Sequence, residues 1–191
     1  MLRADYRDKN RVVQILAASF DDNKSVNFIV KQDGCRAVRL RKLMEYSFEL
    51  CHRYGAVWLS EDRNACALVL FPHLKKSFFH SLRLDLSLAV SVIGLSNLGK
   101  VIRRESAIKK LHPREPFYYL WFIGVSPEFQ NKGLGTEMLK QVLREAEKEM
   151  LPVYLETSVP RNVAWYEKFG FSIYTKLDFG YELFCLQRTG E

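Results

Sequence analysis

The sequence predicts an α/β fold in one domain. Apolar stretches of helical period alternate with short runs of strand character. One apolar run, Phe117–Val125 (FYYLWFIGV), stands well above its surroundings, and no linker or internal repeat divides the chain. At 191 residues, 48% hydrophobic and 27% charged, the composition is that of a globular domain and excludes a disordered or fibrous chain. A chain of this size buries roughly 70% of the surface its unfolded form exposes, so its core needs no disulfide or metal.

The elements follow in order. An amphipathic helix is expected over Arg11–Phe20, with Phe28-Ile29-Val30 continuing after the polar break Asp21-Asp22-Asn23. A second helix, Arg36–Tyr54, puts Leu40, Leu43, Met44, Phe48 and Cys51 on one face and Arg39, Arg41 and Lys42 largely off it. Gly55 is placed to stop it. Ala56–Ser60 and Ala65–Phe71 then read as a hairpin around Glu61-Asp62-Arg63-Asn64, with Pro72 ending the second strand. Residues 73–112 are expected to form two or more helices, broken near Gly94 and Asn97–Gly99. Phe78, Phe79, Leu82, Leu86 and Val90 have helical spacing there. They suit a core stripe better than an apolar acceptor pocket.

The aromatic run Phe117–Val125 reads as a central strand buried on both faces, and Gly124 signals a bulge or a close approach by another backbone. A helix over Thr136–Met150 carries the stripe Leu134, Met138, Leu139, Val142, Leu143, Ala146 and Met150. The strand Val153–Ser158, a short helix around Val163–Phe169 capped by Gly170, and the strands Ile173–Leu177 and Tyr181–Leu186 complete the chain.

The net charge of +7 is unevenly spread. Residues 1–115 hold 21 Lys+Arg against 12 Asp+Glu, whereas residues 116–191 hold 8 against 10. The four cysteines (Cys35, Cys51, Cys66, Cys185) and four histidines (His52, His73, His80, His112) show no metal-ligand spacing, so reduced thiols and no metal are expected. The charged N-terminus is unlike a signal peptide, and Leu86–Gly99, the longest uncharged stretch, is short of the roughly 20 apolar residues of a membrane span. The expectation is a soluble, cytoplasmic protein that does not engage membranes.

The strongest local signal is Gln130-Asn131-Lys132-Gly133-Leu134-Gly135-Thr136, between the apolar strand and an amphipathic helix. Glycines there let the backbone turn tightly beside a bulky anion, and the N–H groups of a helix start favour phosphate. The spacing fits neither the Walker loop nor the dinucleotide fingerprint, and a turn that uses glycine for geometry alone explains a lone Gly-x-Gly.

Paired with the downstream block Asn162-Val-Ala-Trp-Tyr-Glu-Lys-Phe-Gly-Phe171, however, this loop resembles the Gcn5-related N-acetyltransferase (GNAT) superfamily. Ile123-Gly-Val-Ser-Pro127, Leu155-Glu-Thr-Ser158 and Pro160-Arg-Asn162 look like puromycin N-acetyltransferase and its relatives. The resemblance implies a mixed, mostly antiparallel central sheet with helices on both faces. It implies a cofactor half, residues 116–191, and an acceptor-side half, residues 1–115, within one domain spanning 1–191. Ile123, Gly124 and Val125 would pair with the pantetheine arm of acetyl-coenzyme A. Gln130, Asn131, Lys132, Gly133, Leu134, Gly135 and Thr136 would cradle its pyrophosphate. Asn162 would contact the arm, and Tyr166 would stand beside the sulfur.

The chemistry is consistent with that assignment. An amine attacks a thioester and a thiolate leaves; Tyr166, with an ordinary pKa near 10, can protonate a thiolate whose thiol ionises near 8.5. The central strand offers no acid, which leaves Glu156 as the best carboxyl group for a general base, with a structural hydrogen bond as its competing role. Asp21, Asp22, Glu61 and Asp62 lie in N-terminal loops, where solvation is the simpler role. The acceptor site is expected among the N-terminal helices, Trp121 and parts of residues 73–112.

A small-molecule amine is therefore the expected partner. Acetylation of a protein lysine or N-terminus would favour an acidic groove, which the basic first half opposes. A nucleic-acid-binding module would use Arg39-Leu-Arg-Lys42, Arg103-Arg104 and Lys109-Lys110, but solvated helix faces account for those clusters and no nucleic acid is expected. Cofactor binding without turnover is opposed by the presence of Gly133, Gly135, Asn162 and Tyr166. The terminal strands offer an edge for a homodimer.

Overall fold

The computed structural model describes residues 1–74, 86 and 88–189. Seven strands form one mixed sheet: β1 (Leu2–Arg3), β2 (Gly55–Leu59), β3 (Ala65–Leu70), β4 (Tyr118–Val125), β5 (Val153–Thr157), β6 (Ser172–Asp178) and β7 (Glu182–Arg188). Their order is β1-β2-β3-β4-β5-β7-β6, and every neighbouring pair is antiparallel except β4/β5. The helices are α1 (Lys9–Ser19), α2 (Lys24–Ile29), α3 (Arg36–Tyr54), α4 (Leu95–Leu111), α5 (Leu134–Lys148) and α6 (Pro160–Glu167). The expected α/β class, with a mostly antiparallel sheet between helices, is the observed one.

Two apolar clusters cover the two faces of the sheet. On one, Val12, Ile15 and Leu16 of α1 and Met44 and Phe48 of α3 pack on Leu68 and Phe122. On the other, Met138, Leu139, Val142 and Leu143 of α5 pack with Leu155, Tyr166 and Leu186. Truncating a buried residue such as Phe48 would cost about 3–5 kcal/mol. The periodicity of α3 and α5 is thus the direct cause of the layering, because each presents one apolar stripe to one sheet face.

Several expectations change. The polar break at Asp21–Asn23 separates two helices, since the Asn23 side chain accepts from Val26 N–H and starts α2 afresh. Met150 leaves the α5 stripe: it follows the helix at φ 54° and is 88% exposed. Leu86 and Val90 are exposed, at 63% and 59%, and build no core stripe; Phe78, Phe79 and Leu82 lie outside the described residues. Gly94, at φ 73°, does interrupt the chain, between a π turn at Ala89–Ile93 and α4, but Asn97–Gly99 runs on inside α4.

The bulge in β4 falls at Trp121. Val69 pairs with Leu120 and Leu68 with Phe122, leaving Trp121 without a partner in β3. Tyr118 and Leu120 consequently face the α5 side, while Phe122 faces α1. Gly124 marks instead a close approach by α1, where a Cβ would come within 2.6 Å of Ser19 Oγ and 3.0 Å of Leu16 Cδ2. Among the described residues no helix is long and apolar enough to cross a membrane.

Candidate active site

The site begins where β4 and β5 stop pairing. Their parallel ladder consists of Tyr118 with Val153 and Tyr119 with Tyr154. Beyond it, β4 continues six residues on β3 alone, and β5, paired with β7 along its whole length, continues from Leu155 to Thr157 on β7 alone. The β5-facing edge of β4 from Leu120 to Val125 therefore carries backbone donors and acceptors without strand partners, as an added extended ligand requires.

A cleft of about 470 Å³ opens along that edge. Ile123, Gly124 and Val125 form one wall, and Gln130, Asn131, Gly133, Leu134, Gly135 and Thr136 the end, with Asn162 and Tyr166 opposite. Asn131 at φ 61° and Gly133 at φ 87° put two left-handed turns around Lys132, a backbone shape that turns successive N–H groups to one side. Gly133 caps α5 without a side-chain partner. The first helical bond runs from Glu137 N–H to the Gly133 carbonyl at 3.0 Å. The amides of Leu134, Gly135 and Thr136 thus have no partner inside the helix, and the positive end of its dipole adds to them. This open concavity fits a diphosphate without needing a side-chain cation.

Lys132 is not itself among the lining residues: it is exposed, with its Nζ 4.8 Å from the centre of the Phe129 ring, which does line the cleft. Residues the sequence reading left out also line the cleft, among them Ser19, Phe20, Arg161 and Trp165. Trp165 Nε1 donates to Thr136 Oγ1 at 3.4 Å and ties α6 to the start of α5. The aromatic density of the block from Asn162 to Phe171 was the available signal for it.

A second, smaller cavity of about 90 Å³ lies deeper in the split. Phe20, Asn23, Ile123, Asn162 and Tyr166 line both spaces, so the two meet at Tyr166. Tyr166 is 5% exposed and packed against Trp165 and Phe171, with ring centres 4.7 and 5.4 Å away. Burial pushes its phenol well above the ordinary value, which keeps the proton on it at neutral pH.

Glu156 lines the smaller cavity. Tyr119 donates to its Oε2 at 2.6 Å, and its Oε1 lies 3.0 Å from His112 Nε2. Burial and the neighbouring Glu156 carboxyl push the Tyr119 phenol well up. Trp121, the α1–α2 segment through Phe20, Asn23, Ser25, Val26 and Ile29, and Arg104 of α4 line the same smaller cavity. Asp21, Asp22, Glu61 and Asp62 stay outside that lining; Asp21 pairs with Arg36 at 2.6 Å, Glu61 with the Met1 amino group at 2.9 Å, and Asp62 accepts from Ser60 in the hairpin turn. Among the described residues no cluster of three metal-ligating side chains is present.

Residues 79–171 match the Acetyltransferase (GNAT) family. An uncharacterized N-acetyltransferase of Schizosaccharomyces pombe is 38% identical over 65 residues, which is 32% of this chain and 26% of that relative's length. A Corynebacterium glutamicum structure described as histone acetyltransferase HPA2 and related acetyltransferase superimposes with a TM-score of 0.75 at 18% identity, over 100% of this chain and 95% of that one. A Drosophila melanogaster polyamine N-acetyltransferase does so with a TM-score of 0.67 at 12% identity, over 98% of each chain. At these identities the solved structures establish the shared fold.

Proposed function

Residues 79–171 belong to the GNAT acetyltransferase family, and on that premise we propose that the protein transfers the acetyl group of acetyl-coenzyme A to a primary amine of a small molecule. The observation that carries this reading is the parting of β4 from β5, with one cleft along the β4 edge, a second cavity behind it, and Tyr166 bordering both. A reaction between two bound molecules needs such a meeting point.

Acetyl-coenzyme A supplies an activated acetyl group and a thiolate leaving group. The β4 edge at Ile123–Val125 pairs with the pantetheine arm, and the amides around Gly133, Gly135 and Thr136 hold the diphosphate. Asn162 contacts the arm from the opposite wall. A backbone N–H near the end of β4 polarises the thioester carbonyl. Tyr166, kept protonated by burial, gives its proton to the leaving sulfur. Glu156 takes the proton released by the attacking amine, and its contact with His112 gives that proton a way out.

The small-amine class is supported by the limited volume beside Tyr166, about 90 Å³, and by the basic first half of the chain. The Drosophila enzyme forms N-acetylagmatine, so the fold accommodates small amines. The test is thiol release from acetyl-coenzyme A across amines, aminonucleosides and peptides. Release with small amines is expected. No release with any acceptor, or release with peptides alone, would overturn the proposal.

A further inference from the structure

The cavity behind Tyr166 is lined by two ionisable side chains of opposite type. Glu156 has a side chain 5% exposed and Arg104 one 7% exposed. Among the described residues each has its ion-pair partner elsewhere: Arg104 pairs with Glu105, itself half-exposed, and Glu156 with His112. Both border Tyr119, whose phenol they affect in opposite senses. Burying a guanidinium costs several kcal/mol unless strong partners compensate. Those of Arg104 are the Glu105 carboxylate, the Tyr181 hydroxyl at 2.9 Å from Nε, the Ser25 hydroxyl on Nη2, and the Phe179 ring, whose centre is 6.0 Å from Cζ. Two neutral hydroxyls and a carboxylate turned to solvent use three of five N–H donors, and the fork still borders the cavity.

From this arrangement we infer that the acceptor is a small zwitterion of the amino-acid type, whose carboxylate is held by Arg104 while its amine faces Glu156. The inference rests on the acetyltransferase reading and names the acceptor within it. A guanidinium fork matches a carboxylate in bidentate geometry. The space suits a few heavy atoms, because one ordered water occupies roughly 10–15 Å³ of such volume. The charge of the walls agrees: one cation and one acid complement one anion and one ammonium group. A plain monoamine would leave unused the donors of Arg104 that Glu105, Tyr181 and Ser25 do not take, and a polyamine would place a second cation beside it.

The experiment compares acceptors in matched pairs, an amino acid and the amine left when its carboxyl is removed: glycine with methylamine, β-alanine with ethylamine, phenylalanine with phenethylamine. Wild type is expected to favour the carboxylate member, after correction for the fraction of free amine. Arg104→Gln is expected to lower that preference about ten- to hundredfold, the usual worth of a charged hydrogen bond. Arg104→Lys should fall between. If Arg104→Gln does not fold, as thermal melting will show, Arg104→Lys carries the comparison. No preference in wild type, or an equal loss on both members of each pair, overturns the inference and leaves Arg104 a purely structural tie. Thiol release from the plain amines but not the amino acids sinks this inference alone. Release from no acceptor sinks the acetyltransferase reading, and this inference with it.

Discussion

Tyr119 donates a 2.6 Å hydrogen bond to Glu156 Oε2 directly above the point where β4 and β5 part. Tyr119 is the last residue of β4 paired with β5, and Glu156 stands two residues beyond its backbone partner Tyr154. One side-chain bond therefore spans the opening of the split and orients the proposed base.

Tyr119→Phe removes that donor and leaves a buried carboxyl oxygen with one fewer partner. The expected cost is about 1–3 kcal/mol of stability, read by denaturant unfolding. A fall in kcat on small amines larger than any change in KM for acetyl-coenzyme A is also expected, because the diphosphate loop is untouched. Unchanged stability and rate together would show that the bond holds nothing in place.

Tyr166→Phe keeps the ring packed on Trp165 and Phe171 and removes only the proton donor. The expected loss in kcat is about 10²–10⁴-fold, the range for a positioned acid, with little change in melting temperature. An unchanged rate would remove Tyr166 from the chemistry.

The buried phenols also set an alkaline limit. Burial raises both Tyr119 and Tyr166 above their unfolded value near 10. Below about pH 10 both states hold the protons and stability is indifferent to these groups. Above it the unfolded chain ionises first, so folding stability falls as pH rises. Burial pushes up the thiols of Cys51, Cys66 and Cys185 as well, so melting temperature should begin to fall near pH 9 and fall faster beyond pH 10 as the phenols join, less steeply in Tyr166→Phe. A slope in the variant equal to that of wild type would exclude Tyr166 as a contributor.

Much of this site was legible because its parts are local. The loop from Gln130 to Thr136 announces its turns by its own glycines, and the stripe of α5 announces its sheet face. What escaped depends on distant partners. Nothing near Glu156 in sequence names His112 or Tyr119, 44 and 37 residues away. The bulge at Trp121 has no glycine or proline to mark it. Arg104 was read within a solvated basic cluster, yet it shares one helical stripe with Val101 and Ile108 and is buried with them, while Arg103 points to solvent. The three-and-four spacing of 101, 104 and 108 was the signal for it.

Gly124 and Gly135 separate packing from ligand approach. At Gly124 a Cβ would press on Ser19 and Leu16 of α1, so Gly124→Ala should cost about 1–3 kcal/mol and shift the helix that leads to Phe20 and Asn23. At Gly135 a Cβ would meet Val125 Cγ2 at 3.6 Å and Trp165 Cζ2 at 4.0 Å, both ordinary contacts. Alanine is also the better helix former, by up to about 1 kcal/mol. Gly135→Ala should therefore be as stable as wild type or more so. If the diphosphate lies against that backbone, the same change should raise KM for acetyl-coenzyme A about tenfold, or 1.4 kcal/mol. A stable Gly135→Ala protein with unaltered KM would mean that the loop uses this glycine for nothing the ligand feels.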